Sequence, residues 1–212
     1  MRRGRAGRAG FTLLELLVAL VIAGIVFLGA RAVVAVAVDV GSRERDRARE
    51  ALRVESVQGV LRRWLSSATL LTGEGEGYGF EGRDTTLSGG LPGDEVAFVT
   101  LDPAGLRSEL GETPVRVRLR VAPGEGGEGG GLGADYAAVD DPEATGTVTL
   151  LPEVRGLDVR YLVNVFDRPQ WFGTWSAKMR LPLVVELRLY AAARSGAAAL
   201  GAPLWIALPR RE

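Results

Sequence analysis

The first pattern along the chain is an apolar run near its N-terminus. Apolar side chains dominate residues 11–38, and none of the side chains in residues 16–30 is charged. A helix over residues 11–30, at about 1.5 Å per residue, would be roughly 30 Å long, which matches the hydrocarbon thickness of a bilayer. The pattern therefore predicts a transmembrane helix in this segment.

An amphipathic pattern follows the apolar run. Acidic and basic side chains alternate through residues 43–50, as they do on a solvated helix surface. Apolar side chains then recur at steps of three and four residues, the spacing of one helix face. We predict a helix over residues 11–72, with a transmembrane first half and an amphipathic second half that packs on a globular head. The apolar positions of that second half are Val54, Val57, Leu61, Trp64, Ala68 and Leu71.

Beyond residue 72 the pattern becomes that of β-strands. Glycine occupies every second position in residues 73–79, which a helix cannot sustain. Several later segments are apolar runs or alternate apolar and polar residues with a period of two. We predict an α+β fold, in which the long N-terminal helix packs on a mainly antiparallel β-sheet head over residues 73–212. The predicted strands are residues 96–101, 115–121, 157–165, 185–189 and 204–208.

Composition removes several function classes. The chain has 212 residues and contains neither cysteine nor histidine, so disulfides, thiolate or histidine metal sites and histidine-based triads are excluded. No short motif combines paired carboxylates, or a nucleophile with a base, so we expect no enzyme activity, no cofactor and no small-molecule substrate.

Charge is distributed unevenly along the chain. Four arginines (Arg2, Arg3, Arg5 and Arg8) precede the apolar run, and without them 22 basic residues stand against 26 acidic ones. The mildly acidic remainder argues against nucleic acid as a partner. By the positive-inside rule, the basic N-terminus stays cytoplasmic and the head lies on the far side of the membrane.

One acidic residue interrupts the apolar run. Glu15 lies one helical turn inside it, where a charged side chain costs about 2.5–3.5 kcal/mol on insertion scales. No lysine or arginine lies nearby on the helix after Phe11, so a cationic partner from outside the helix is expected.

Residues 10–15, Gly-Phe-Thr-Leu-Leu-Glu, together with the apolar run, resemble the type III signal of type IV prepilins and type II secretion pseudopilins. The resemblance implies that residues 1–10 are a leader, which a prepilin peptidase removes by cutting after Gly10. It implies further that Phe11 becomes the N-methylated first residue. Glu15 would then pair with the N-terminal amine of Phe11 on a neighbouring subunit during assembly.

Within this family, the C-terminal third most resembles minor pseudopilin J of type II secretion. The similarity lies in residues 154–161, in Trp171 and Trp175, and in residues 181–189, whereas the Gly-rich insert departs from the pattern. The resemblance implies a minor pseudopilin at the tip of a type II secretion pseudopilus that drives protein export. Its expected partners are other pseudopilins or minor pilins, the prepilin peptidase and the bacterial inner membrane, with the head in the periplasm.

Other interpretations of the chain remain open. A minor pilin of a type IV pilus, or a membrane-anchored periplasmic binding module, would carry the same kind of N-terminus. A secretory signal peptide is a third possibility, because Ala35-Val36-Ala37 has the form of a cleavage site. The glutamate near the start of the apolar run argues against it.

Four features of the head invite functional interpretations. Residues 124–129 match a G-x-G-x-x-G pattern, but their glutamates would repel a pyrophosphate, so we predict a surface loop. We expect Arg116, Arg118 and Arg120 to pair with acids on a neighbouring strand. The third feature is a group of acidic residues that lacks the ligand spacing of a calcium loop: Asp140, Asp141 and Glu143. The fourth is a group of aromatic residues that suits either core packing or partner contacts: Trp171, Phe172 and Trp175.

If the Gly10–Phe11 bond is cut, mass spectrometry of the protein purified from membranes should find a methylated phenylalanine at its N-terminus. Replacing Gly10 with a bulkier residue should leave the leader attached, because the peptidase must accommodate the residue before the cut. A mature N-terminus at Val38 would instead establish a secretory signal peptide.

Overall fold

The computed structural model describes residues 13–71, 79–103, 105–106, 113–123, 129–141, 143–177, 180–193 and 196–209. The chain divides into two compact units, Met1–Leu52 and Arg53–Glu212. Helix α1 is Leu13–Ser66, and its residues from Arg53 onward belong to the second unit. The rest of the second unit is mainly antiparallel β-structure, so the predicted α+β class of the head is confirmed.

The strands form two antiparallel sheets. Sheet I has the spatial order β1-β3-β4-β5-β6, with β2 also pairing with β3. Its strands are β1 (Ala68–Thr69), β2 (Glu81–Arg83), β3 (Glu95–Thr100), β4 (Val115–Pro123), β5 (Gly129–Ala138) and β6 (Thr145–Leu151).

Sheet II has the order β10-β9-β7-β8, with β11 also pairing with β9. Its strands are β7 (Val154–Val165), β8 (Arg168–Phe172), β9 (Val184–Ala193), β10 (Gly196–Ala199) and β11 (Leu204–Ala207). The sequence patterns predicted one sheet. They did not identify β2, β5, β8 and β10, which lack a clear run of alternating apolar residues, or β6, in which only Val148 and Leu150 alternate with threonines.

The C-terminal part of α1 supplies one wall of the core. Val54, Val57, Leu61 and Trp64 are buried in a single apolar cluster with side chains from both sheets. Their steps of three and four residues place them on one helix face, which the sheets remove from water. The prediction that this face packs on the head is confirmed for these four positions.

The helix ends earlier than predicted. It stops at Ser66 instead of extending to residue 72, and Ala68 lies in β1, opposite Thr100 of β3. The hydroxyls of Ser66 and Ser67 donate to the carbonyl oxygen of Arg63, at 3.1 and 2.9 Å. Such bonds satisfy a terminal carbonyl and end a helix, which releases the next residues to pair with the sheet.

Strand β5 owes its place to its neighbours and to its glycines. It is paired on both sides, with β4 and with β6. Gly131 has a φ of 120°, and a Cβ there would press on the backbone of Leu151 and Pro152. The segment 129–133 therefore forms a strand despite its glycine content, and of the predicted loop over residues 124–129 only Gly129 lies in this strand. The predicted loop residues 124–128 lie outside the described residues.

Backbone hydrogen bonds join each sheet to a segment that flanks the other sheet. Gly82 of β2 and Trp175 exchange N–H to carbonyl bonds of 2.8 and 2.9 Å. Leu157 of β7 accepts from the Asp94 amide at 3.0 Å, and its own amide donates to Pro92 at 2.8 Å. A Cβ at Gly82 would overlap the ring of Tyr161, so glycine is required where β7 approaches β2.

Residues 43–212, expressed without the apolar segment, should form a soluble monomeric domain, and Leu61→Ala should lower its free energy of unfolding by about 2–5 kcal/mol. The loss follows from a cavity at a buried position, and urea denaturation measures it. Leu52→Ala is the matched control, because Leu52 is exposed on the same helix and should change stability by less than about 0.5 kcal/mol. An unchanged denaturation midpoint for Leu61→Ala would contradict the packing of this helix face.

Candidate assembly surfaces

The N-terminal signal is described only from Leu13 onward. Gly10 and Phe11, the residues expected at the cleavage and methylation site, lie outside the described residues. Glu15 lies in the first turn of α1, where its side chain is exposed. A carboxylate is favourable there because the helix dipole is positive at its N-terminal end.

The first unit exposes large apolar side chains along α1. Among the described residues 13–28, ten of them have exposed fractions between 49% and 84%. Within the described residues, no helical stretch is both long and apolar enough to cross a membrane. Contiguous exposed apolar surface is typical of an interaction site, so this segment is a candidate contact surface. The ten side chains belong to Leu13, Leu14, Leu16, Leu17, Val18, Leu20, Val21, Ile22, Phe27 and Leu28.

On sheet I, the arginine stripe of β4 (Arg116, Arg118 and Arg120) faces outward. Arg120 Nε donates to Asp135 Oδ2 on the neighbouring β5 at 2.7 Å, and Thr147 Oγ1 donates to Asp135 Oδ1 at 2.9 Å. The bond from Arg120 does most to hold the pKa of Asp135 below its ordinary value. The predicted pairing with a neighbouring strand is thus confirmed for Arg120. An open concavity of about 280 Å³ beside the stripe is lined by Arg116, Arg118, Asp135, Thr145 and Thr147.

The acidic residues Asp140, Asp141 and Glu143 lie in the connection between β5 and β6. Asp141 Oδ1 accepts from the Glu143 amide at 3.1 Å, and the Asp141 carbonyl accepts from the Ala144 amide at 3.0 Å. The Asp141 carboxylate therefore stabilises its own turn. Among the described residues, no group of three histidine, cysteine or acidic side chains is placed to hold a metal ion.

The aromatic side chains near β8 divide between core and surface. Trp175 is buried, with its ring 6.1 Å from that of Tyr161, and its Nε1 donates to the Arg180 carbonyl at 3.0 Å. Trp171 and Phe172 are exposed. Of the two interpretations of this group, core packing holds for Trp175 and surface exposure for the other two.

A second exposed tryptophan was not predicted from the sequence. Trp205 of β11 has an exposed fraction of 64%, and its ring lies 6.4 Å from that of Trp171. The signal was present in the sequence, because Leu204 and Ile206 are apolar and buried, so period two places Trp205 on the opposite face.

Glu186 of β9 is a buried carboxylate beneath Trp205. Its Oε1 accepts from Trp205 Nε1 at 3.0 Å and from the Nε and Nη2 of Arg188 at 3.1 and 2.8 Å. Burial by itself would raise the pKa of Glu186, but the bonds from Trp205 and Arg188 outweigh it and keep the pKa below its ordinary value. The carboxylate is therefore ionised at neutral pH and fixes both donors.

Asp94 is a second buried carboxylate, between the two sheets. Its Oδ2 accepts from the Val159 amide of β7 at 2.7 Å, and its Oδ1 accepts from the Thr85 amide at 3.1 Å. Burial raises its pKa to about 6, against the opposing effect of these two bonds, and the charges of Asp84 and Asp158 raise it further. Among the hydrogen bonds and ion pairs of the described residues, this carboxylate has no cationic partner, whereas Glu186 has Arg188.

Comparison with known proteins identifies the N-terminal segment. Residues 5–30 match the prokaryotic N-terminal methylation motif. The chain carries a prepilin-type methylation motif. This confirms the predicted signal, and the motif includes Gly10, Phe11 and Glu15 within its bounds. It ends at residue 30, so its C-terminal part coincides with the exposed apolar side chains of α1.

The chain is also similar in structure to a chain of the GspK-GspI-GspJ complex from the type 2 secretion system of enterotoxigenic Escherichia coli. The two share 14% sequence identity with a TM-score of 0.46, over 76% of this chain and 99% of that chain. No curated protein matches the chain significantly.

The raised pKa of Asp94 predicts a pH dependence of stability. Because its folded-state pKa of about 6 lies above the ordinary value of 3.8, the folded head binds the proton more tightly than the unfolded chain. The resulting stability is full below the ordinary pKa and is lost as the pH rises through about 6. Urea denaturation of residues 43–212 should therefore show the free energy of unfolding rising between about pH 7 and about pH 4 relative to Asp94→Asn.

The variant Asp167→Asn is the control, because Asp167 is exposed on the β7–β8 turn and should keep the wild-type profile. Parallel pH profiles for wild type and Asp94→Asn would contradict the assignment of this titration to Asp94.

Proposed function

We propose that the chain is a minor pseudopilin, which assembles into the tip of a type II secretion pseudopilus and so drives protein export. The methylation motif over residues 5–30 carries the proposal. The antiparallel head and the exposed apolar side chains of α1 support it, because a filament subunit needs a surface for its neighbours. Its role is structural, without catalysis.

The motif implies a defined order of processing. A prepilin peptidase removes residues 1–10 as a leader by cutting after Gly10, and Phe11 is methylated at its new amine. Residues 11–30 anchor the protein in the bacterial inner membrane, and the unit Arg53–Glu212 forms the periplasmic head. The basic leader favours a cytoplasmic N-terminus, since arginines are retained on that side.

In the assembled filament, Glu15 pairs with the amine of Phe11 on a neighbouring subunit. The two opposite charges attract strongly where apolar side chains exclude water. Removing one member of such a pair leaves the other buried without compensation, which is more costly than lacking both. The exposed leucines around Glu15 would supply that apolar environment between packed helices.

A minor pilin of a type IV pilus is the second candidate, since the methylation motif is expected there as well. A membrane-anchored periplasmic binding module is a third, and the exposed Trp171–Trp205 pair favours it. These candidates differ in what Glu15 must do, because a binding module requires only an anchor.

Glu15→Leu separates assembly from simple anchoring. It makes the segment a better membrane anchor, by about 2.5–3.5 kcal/mol on the insertion scale, because it removes a charge. We expect the variant to remain in the membrane and to be cleaved normally, but to cross-link poorly to co-expressed pseudopilins and to secrete a reporter substrate poorly. Glu44→Leu, at an exposed acid beyond the motif, should behave like wild type.

Wild-type cross-linking and wild-type secretion in Glu15→Leu would overturn the assembly role of this residue. A minor subunit also gains contacts between heads, so the defect should be partial, and cross-linking should fall more than secretion.

A further inference from the structure

Sheet II presents one exposed face that combines two tryptophans with two arginines. We refer to Arg160, Leu162, Trp171, Val184, Arg188 and Trp205 as the tryptophan face. We propose that the tryptophan face docks a protein segment in which a carboxylate lies next to an apolar side chain. That this segment belongs to the head of another filament subunit rests on the proposed function.

Strand register brings these residues together. Trp171 of β8 pairs with Leu162 of β7, which pairs in turn with Val184 of β9. In the adjacent row, Arg160 pairs with Glu186, and Glu186 pairs with Trp205. The residues between these rows, Tyr161, Val185 and Ile206, point into the core and are buried. The face is therefore continuous across four strands, which fixes the spacing of its side chains.

The arrangement holds an exposed ring in one orientation. The indole N–H of Trp205 is bonded to the buried Glu186, which Arg188 holds through two further bonds. Burying the Glu186 carboxylate has a desolvation cost, and the hydrogen bond that orients the exposed Trp205 ring adds no apolar packing to the core. A ring that is already fixed loses less conformational entropy when a partner covers it, so this network favours binding.

The charges on the face define the chemistry of its partner. In the Arg188–Glu186 pair the side-chain exposures are 36% and 5%, and in the Arg160–Asp158 pair they are 47% and 19%. In both pairs the guanidinium is accessible and the carboxylate lies beneath it. Because a guanidinium has five N–H donors, each arginine can still bind a carboxylate from outside.

The apolar residues of the face require an apolar group beside that carboxylate. Trp171, Trp205, Leu162 and Val184 lie next to the guanidinium groups in the strand register. Tryptophan and arginine are also the side chains most enriched at the energetic centres of protein interfaces. An acidic segment with a neighbouring apolar side chain therefore satisfies both halves of the face.

The test uses the full-length chain in its own cells, with the photo-cross-linking residue p-benzoylphenylalanine at position 207. Ala207 is exposed on β11 and pairs with Val184. Position 147 on sheet I, also exposed, is the control site. We expect an adduct from position 207 with another prepilin-type protein, and the cross-linked peptide should contain Asp or Glu beside an apolar residue.

Substitutions then test the chemistry of the face. Trp171→Ala and Arg160→Glu should each lower the yield of the position-207 adduct by about fivefold or more, whereas Arg160→Lys should retain most of it. Phe166→Ala is the matched aromatic control, because Phe166 is 95% exposed on the β7–β8 turn and outside the face. Protease resistance of each variant reports whether its head is folded. Arg160→Glu leaves both tryptophans in place, so it tests the charge even if Trp171→Ala unfolds.

Several outcomes would overturn the docking proposal. These are an adduct with phospholipid or glycan, a cross-linked peptide without an acid, or an unchanged yield of the position-207 adduct in Trp171→Ala and Arg160→Glu variants whose heads are folded.

Processing is measured in the same samples. If the chain is cleaved after Gly10 and supports secretion but position 207 gives no adduct, the docking surface is wrong and the proposed function stands. If a protein adduct with the expected chemistry forms while residues 1–10 remain attached, the proposed function is wrong and the docking surface stands.

Discussion

The burial of one helix face against two sheets is the constraint on which the head depends. Leu61 and Trp64 are buried in the same apolar cluster as side chains of both sheets, so the helix face completes the core that the sheets share. The helix cannot leave the core without exposing its apolar face to water, which is costly. Residues 53–66 are thus both the last turns of α1 and a structural part of the head.

The predictions succeeded where one physical signal dominated locally. The steps between Val54 and Trp64 identify a helix face, and the alternation in residues 115–121 identifies a strand, because each pattern follows from the geometry of its own element. Strand β5 shows no such pattern, since its glycines pair only because β4 and β6 lie on either side. The end of α1 at Ser66 likewise depends on the pairing of Ala68 with distant Thr100. Strand pairing between residues far apart in the sequence decides these features, and the local periodicity of the sequence does not reveal such pairing.

The candidate sites divide in the same way. The N-terminal signal is contiguous, so residues 10–15 could be recognised from the order of their side chains alone. The tryptophan face joins residues from β7, β8, β9 and β11, which only strand register brings together. The exposure of Trp205 was missed, although it could have been inferred from the position of this residue between the apolar residues Leu204 and Ile206. Its proximity to Trp171 could not have been inferred, because the two tryptophans belong to strands at different places in sheet II.

Two buried carboxylates show how the partner of a charge determines its effect. Glu186 accepts from a guanidinium and an indole, so it stays ionised and holds surface side chains in place. Asp94 accepts only from backbone amides in the contacts described, and burial raises its pKa to about 6. Glu186 therefore keeps its charge over the pH range in which Asp94 gains a proton. In mild acid, protonation of Asp94 removes a buried negative charge, and this gain outweighs the weakening of the hydrogen bonds that anchor β7 to the segment 85–94. The junction between the sheets therefore becomes more stable. Glu186 stays ionised, so the tryptophan face should retain its geometry.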